Sequence, residues 1–546
     1  MYSRSLSGTA RGNRLQAALC ILEVTMASLK SMQEQDRLQG YEQLKKKTEG
    51  YYQSSVGLGD YKPFAAARGS FAERNKRGNM VRLRNTAGRI DRRKLRFIVE
   101  EAEKHQVDMV HFATCQTVQF HHLQPVQVIS LLEDIVDSGY ETYGTGGDYP
   151  RNIMCSPLSG VDPDEVMNVL PYAEAAAQYL VETVDDPDMP RKLKTAFSGD
   201  RENMTHATYR DLGFAATDEG TFDIYVAGGL GPNPAFGVQV GQDVKPVECL
   251  YYVQAMMNTF RKYGNTGNKR RARTRYMVED LGGDEAFRQA FLQELAAVRN
   301  ALQLELGPEI VSPVKKEGDG TSPQTHWRIQ PQKQQGLYSV LYHPGGGCPR
   351  LSVIRSLSTA LDSMDGVELR TSPDQSVYII NLTGCEADLI ARITEADTAR
   401  SLFETSIACV GAGTCVVGVR DSQKLLKELI RAVREAGISQ DALPKLHISG
   451  CPSSCSAQQT AEIGLRGTVK VAAKGDIRPA YFLSLHGKNG RNDSRMGREA
   501  GVILEEDMIP FILSLGREVS DTGLAYHDWA ENHPGRLDEI AAQYTK

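Results

Sequence analysis

The chain has 546 residues, enough at roughly 150 per domain for three to four domains. Hydrophobic residues make up 41% and charged residues 24%, the balance of a soluble globular protein. A formal net charge of −5 argues against a general nucleic-acid binder, and no run approaches the ~18 apolar residues of a membrane-spanning helix.

Residues 1–60 read as an N-terminal extension, partly helical or disordered. Arg4, Arg11 and Arg14, with no acidic residue before the apolar run Ala17–Leu22, give residues 1–22 a faint likeness to an organellar transit peptide; the plainer reading is a disordered extension or a true start at Met26. Residues 30–50 are polar and charged and predict an exposed helix. The pattern then predicts a strand at Val81–Arg84, a helix at Arg92–His105, a strand at Val118–Leu123, and a larger α/β segment containing "TFDIYVA" and a helix near Pro246–Lys262. Residues 305–336 are rich in Pro, Gly, Lys and Gln and read as a linker.

Beyond the linker the order repeats: a strand at Ser339–Tyr342, a helix at Leu351–Met364, a strand at Val377–Leu382, a helix near Asp421–Ala436, and the strand "AYFLSL". "QTVQFHHL" from Gln116 matches "QSVYIINL" from Gln375, and the segments around Arg151 and Cys409, with two further pairs, match at nearly the same offset of 258–259. The expected fold is α+β, internally duplicated and pseudo-twofold.

Of ten cysteines, Cys20, Cys115, Cys155, Cys249, Cys348 and Cys385 are scattered and read as small core residues in a reducing compartment, the cytoplasm. Cys409, Cys415, Cys451 and Cys455 form C-x5-C, 35 residues, then C-x3-C. Small residues between them let backbone N–H groups reach sulfur, so four thiolates in this pattern point to a [4Fe–4S] cluster. Structural zinc favours C-x2-C pairs and fits the spacing poorly.

"ACVGAGTC" and "HISGCPSSCSAQQTAEIGLRG" resemble the paired signature of the sirohaem-containing nitrite/sulfite reductases, and the resemblance runs from about residue 65 to the end. It implies two ferredoxin-like half-domains (61–140 and 337–398) alternating with two sirohaem-binding α/β domains (141–304 and 399–546), the second carrying the cluster. It implies that Cys455 bridges cluster and sirohaem, and that Arg82, Arg151, Lys192 and Lys194 face the substrate oxyanion. It places Gln119, His121, Arg191 and Gln375 on sirohaem carboxylates. Asn268–Tyr276 matches a basic segment that lines the cofactor, meets a donor, or is a solvated helix face.

Two positions depart from the family: Cys115 where arginine is usual and Ser453 where asparagine is common. The implied reaction is six-electron reduction of sulfite to sulfide, or of nitrite to ammonia, with Lys192-Leu193-Lys194 leaning toward sulfite. No G-x-G-x-x-G fingerprint is present, so electrons are expected from a separate ferredoxin or flavoprotein. The competing reading is a non-catalytic cluster- or zinc-binding relative that has lost sirohaem.

Overall fold

The computed structural model describes residues 39–183, 189–307, 315–473 and 475–545. The transit-peptide reading, residues 30–38 of the expected N-terminal helix and residues 308–314 of the linker lie outside these; residues 39–52 are helical. No helix among the described residues is long and apolar enough to cross a membrane.

Four sheets organise the chain. The first is antiparallel, in the order β1 (Ser70–Ala72), β2 (Asn79–Leu83), β5 (Val118–Leu123), β4 (Val110–Phe112). A second antiparallel sheet runs β11 (Ile329–Pro331), β12 (Tyr338–Tyr342), β14 (Val377–Leu382), β13 (Glu368–Thr371), β3 (Arg89–Ile90). The other two are mixed. One has the order β10 (Val238–Val244), β9 (Phe222–Val226), β8 (Leu212–Ala216), β7 (Thr195–Ser198), β6 (Met154–Cys155). Its counterpart runs β19 (Arg498–Leu504), β18 (Asp476–Leu485), β17 (Ile463–Ala473), β16 (Leu446–Ser449), β15 (Ile407–Ala408). In both, the last three strands are parallel and the first two antiparallel. The fold is α+β and duplicated.

The offset between copies is not constant. β5 and β14 start at 118 and 377, the offset of the sequence, but β7 and β16 start at 195 and 446. The segment around Cys409 therefore aligns with that around Arg151 at an offset of 253, through β6 and β15, rather than 258. The connection from β14 to β15 is shorter than that from β5 to β6. The difference is made up by an extended β17–β18 hairpin, whose 11- and 10-residue strands answer 5-residue strands in the first copy.

The copies are not independent. β3, from the first half, pairs with β13 of the second, and Arg89 bonds Glu368 across that junction (2.7 and 3.0 Å). One apolar core runs through both antiparallel sheets, from Leu44 and Phe120 to Ile379 and Ile390. Helix Arg92–Lys104 begins at Asp91, whose carboxylate accepts from Lys94 N, and buries Leu95, Ile98 and Ala102. Its expected last residue, His105, is the C-cap.

The end of the expected linker is ordered structure. β11 pairs with β12, and Arg328, 1% exposed, donates to Leu341 O, Ala391 O, Thr394 Oγ1 and Glu395 Oε2 (2.8–3.2 Å). A buried guanidinium with four hydrogen bonds pins this stretch to the second copy. Arg328→Ala should lower unfolding free energy in urea by about 3 kcal/mol, whereas Arg355→Ala, which removes an exposed ion pair with Glu103, should change it by less than about 0.5 kcal/mol.

Candidate active site

Strand alternation builds the first wall. Val118 and Phe120 of β5 enter the apolar core, so Gln119 and His121 face the other way, and all four are buried. The register sets Arg82 of β2 and His111 of β4 on either side of Gln119. A buried face this polar has to meet another polar surface.

Gln119 orders this row. Its amide lies 2.8 Å from His111 Nδ1 and 3.1 Å from His121 Nε2 on one side, and 3.0 and 2.8 Å from Arg82 Nε and Nη2 on the other. A guanidinium only donates, so the amide oxygen faces Arg82 and the amide nitrogen faces the rings. His121 then accepts at Nε2 and carries its proton on Nδ1, which donates to Glu73 Oε1 at 2.8 Å. Glu73 is 4% exposed, and burial holds the His121 pKa below its usual range against the opposing pull of Glu73. His111 is pushed down to about 3 by burial and by His121.

Thr145 O turns inward between Gly144 and Gly147, both at positive φ, and accepts from Arg82 Nη1 (2.9 Å) and from Arg151. Arg82 also stacks on Phe71, 4.7 Å from its centroid. Burial and the nearby Arg82 lower Arg151 to about 9.

Leu193 is fully buried, so Lys192 and Lys194 point to its opposite side, into a cavity of ≈ 410 Å³ that Arg82 and Arg151 also line. Neither ammonium has a protein partner among the described residues. Burial and then Lys194 hold Lys192 well below the ordinary lysine range, and burial and then Arg210 bring Lys194 to about 8. Cys115 opens on the same cavity. Burial raises its thiol pKa, but Arg82, Lys194 and Arg151 more than offset that and bring it below its usual value.

Cys409, Cys415 and Cys455 line the far wall, and Cys451 is buried behind it. Cys409 Sγ accepts from Gly450 N at 3.1 Å and lies 3.2 Å from Ser422 Oγ. Gly411 is required here: its φ is +64°, and a Cβ would meet Ser422 N at 2.6 Å. The first copy holds these loops in place, Arg74 through Cys415 O (3.2 Å) and Gly418 O, and Thr114 through Cys455 O (2.9 Å). Cys455 lies deep in the fold yet is exposed, because it opens on the cavity; burial and Cys409 push its thiol up to about 12. Among the described residues no three of these sulfurs lie within 4.8 Å of one another. A single tetrahedral zinc site would hold them about 3.8 Å apart.

Arg275 approaches the second cysteine loop. It is 7% exposed, its Nε and Nη1 have no hydrogen-bond partner, and a Cβ added at Gly231 would lie 3.6 Å from its Nη2 and 3.8 Å from Pro452 O. Within the basic segment Asn268–Tyr276, Arg273 also turns inward but onto buried Asp211 (2.9 and 3.0 Å), while Arg271 pairs with Glu279 and Asp280.

Two sequence-chosen residues are placed differently. Arg191 is outside the cavity, paired with Asp148 at 3.0 Å. Gln375 lines the cavity, but its amide is committed to Ala408 N and O (3.0 and 2.9 Å) and lies 2.9 Å from His111. Gln116 clamps Cys155 in the same way in the other copy (2.8 and 2.8 Å), so this pair of glutamines joins each antiparallel sheet to its mixed sheet. Arg84, the last residue of the expected strand Val81–Arg84, lies past the end of β2 and braces Tyr143 O, Pro150 O and Arg151 O. Ser453 is exposed in the turn between the last two cysteines. Glu73 and His111 were not legible in the sequence, because each acquires its partner only through sheet pairing.

The sequence model of the nitrite and sulphite reductase 4Fe-4S domain matches residues 146–298, and that of the nitrite/sulfite reductase ferredoxin-like half domain matches residues 71–137. The first match covers the first copy of the mixed-sheet unit; the four clustered cysteines lie in the second. A sulfite reductase [ferredoxin] of Mycolicibacterium paratuberculosis is 26% identical over 467 residues, 83% of this chain and 81% of the relative. The chloroplastic ferredoxin–nitrite reductase of Zea mays is 24% identical over 456 residues, 80% and 78% of the two chains. The solved structure of Mycobacterium tuberculosis NirA has the same fold, with a TM-score of 0.73 and 23% identity over 92% of this chain and 97% of that one.

Glu73→Gln should leave the His121 proton on Nδ1 in ¹H–¹⁵N correlation spectra, because Gln119 still donates to Nε2 and the new amide oxygen can accept from Nδ1, while loss of the charged acceptor lowers stability by about 1–3 kcal/mol. A proton found on Nε2 in this variant would mean that Gln119 does not set the row.

Proposed function

The chain belongs to the sirohaem- and [4Fe–4S]-containing nitrite and sulfite reductase family, and from that premise we propose that its main substrate is sulfite, reduced to sulfide with electrons from a ferredoxin. The observation that carries the choice is the pair Lys192 and Lys194, side by side, without protein partners, in one cavity with Arg82 and Arg151. Sulfite near neutrality is partly dianionic and offers three oxygens; nitrite carries one charge and two oxygens. Four converging cations suit the more highly charged ion.

The chain's own residues fit the two cofactors. Cys409, Cys415, Cys451 and Cys455 would hold the cluster, with Gly450 N–H already on the Cys409 sulfur. Cys455, open to the cavity, would stand between cluster and sirohaem. Arg275, with two unpartnered buried nitrogens beside the Cys451–Cys455 loop, suits a sirohaem carboxylate. When bound, these groups supply the one-electron steps and an open iron position for the oxyanion.

The side chains supply charge, position and protons. Arg82 and Arg151, fixed by Thr145 O, hold substrate oxygens. Lys194, brought to about 8, gives a proton more readily than an ordinary lysine as an oxygen leaves as water. Gln119 and His121 act in this reading by holding Arg82. The names of the relatives support ferredoxin as donor. One observation favours nitrite instead: Cys115, where ionised, removes a positive charge from the cavity.

With a reduced viologen dye as donor, kcat/KM should favour sulfite over nitrite by about tenfold or more. Lys194→Ala should cost sulfite reduction on the order of 10²-fold and nitrite reduction less. A nitrite preference in the unaltered enzyme would overturn the choice.

A further inference from the structure

The first antiparallel sheet carries a second group of metal-ligating side chains that the reaction does not use. Glu101 and His105 sit one turn apart at the C-terminal end of helix Arg92–Lys104, and Asp134 reaches them from helix Pro125–Asp137. His105 Nε2 lies 3.1 Å from Glu101 Oε2 and 3.3 Å from Asp134 Oδ2, and the three ligand atoms are all within 4.8 Å of one another. Glu101 is 8% and His105 6% exposed. Glu101 Oε2 is buried and accepts no hydrogen bond, although the imidazole is close.

The duplication provides an internal control. At the 259-residue offset shared by both helix pairs, Glu101, His105 and Asp134 correspond to Ala360, Met364 and Ile393. The second copy builds the same helix pair with apolar residues, Met364 being 4% exposed. The fold therefore does not need an imidazole and two carboxylates there, and burying them costs free energy unless something binds.

We propose that Glu101, His105 and Asp134 form a binding site for a divalent transition-metal ion, with Zn²⁺ as the natural probe. One imidazole and two carboxylates from adjacent helices are a borderline donor set that leaves a position open for water. Burial and Asp134 raise Glu101 to about 7, and burial lowers His105, whose lone pair is then free to bind. Lys104 Nζ currently takes the cation's place, 2.5 Å from Asp134 Oδ2 and 3.7 Å from Glu101 Oε2. Its side chain is 50% exposed, so it can swing into solvent when a metal enters.

The test uses the intact enzyme with its cofactors bound, freed of loose metal by chelation and titrated with Zn²⁺. The unaltered protein should take up about one more zinc per chain than the variant Glu101→Ala/His105→Met/Asp134→Ile, and zinc should raise its Tm by a few degrees more. That variant copies the second half of the molecule. Lys104→Met, at a half-exposed position, should tighten zinc binding roughly tenfold by removing the competing charge. Equal zinc uptake and equal Tm response in the unaltered and triply substituted proteins would overturn the proposal, as would unchanged affinity in Lys104→Met. Either result would leave an ordinary ion-pair network closed by Lys104.

Discussion

Two buried ammonium groups without counterions are the constraint on which the rest of the structure depends. Lys192 and Lys194 flank Leu193, which is fully buried in an isolated bridge to Pro150 just before β7, and no described side chain neutralises them. Burial at that depth is costly unless an anion arrives, and Arg82, Arg151 and Arg275 add to the demand. The cavity is thus organised around negative charge that the chain does not supply. An anionic tetrapyrrole and an oxyanion substrate together meet it, and the low pKa of Lys194 follows from the same imbalance.

Duplication explains how the charge is held and why it is confined to one place. The pseudo-twofold operation that relates the copies carries Lys194 onto Lys445, Cys115 onto Asp374 and Cys455 onto Met204, and these three line another, larger cavity of ≈ 780 Å³. There the lysine is already paired, Lys445 Nζ to Asp374 Oδ2 at 2.8 Å, and the thiol is a thioether. The second cavity satisfies itself where the first does not. The copies are locked by β3 on β13, by Arg74 and Thr114 on the cysteine loops, and by the Gln116 and Gln375 clamps. One half therefore supplies most of the cations, and the other supplies the sulfurs.

Much of this was legible before any coordinates. Val118–Leu123 and Val377–Leu382 are strands at the expected residues, because β-branched and aromatic alternation is a local signal. Lys192 and Lys194 share a face because side chains alternate along an extended stretch. What the sequence hid depends on contacts between distant segments. Glu73 meets His121 across 48 residues, and Arg328 is pinned by carbonyls and side chains contributed from beyond the linker. Arg191 adjoins Lys192 in sequence yet turns to Asp148, a distinction that "RKLK" does not contain. The constant offset failed where two connections changed length in compensation, which matching of short words cannot detect.

The most direct test of the account is the cofactor content of the purified protein, from its visible spectrum with iron and acid-labile sulfide analysis. The account predicts one sirohaem, about five irons and about four sulfides per chain. A colourless protein holding zinc at the four cysteines would contradict it, because the unpaired cations of the cavity would then have no anion to meet.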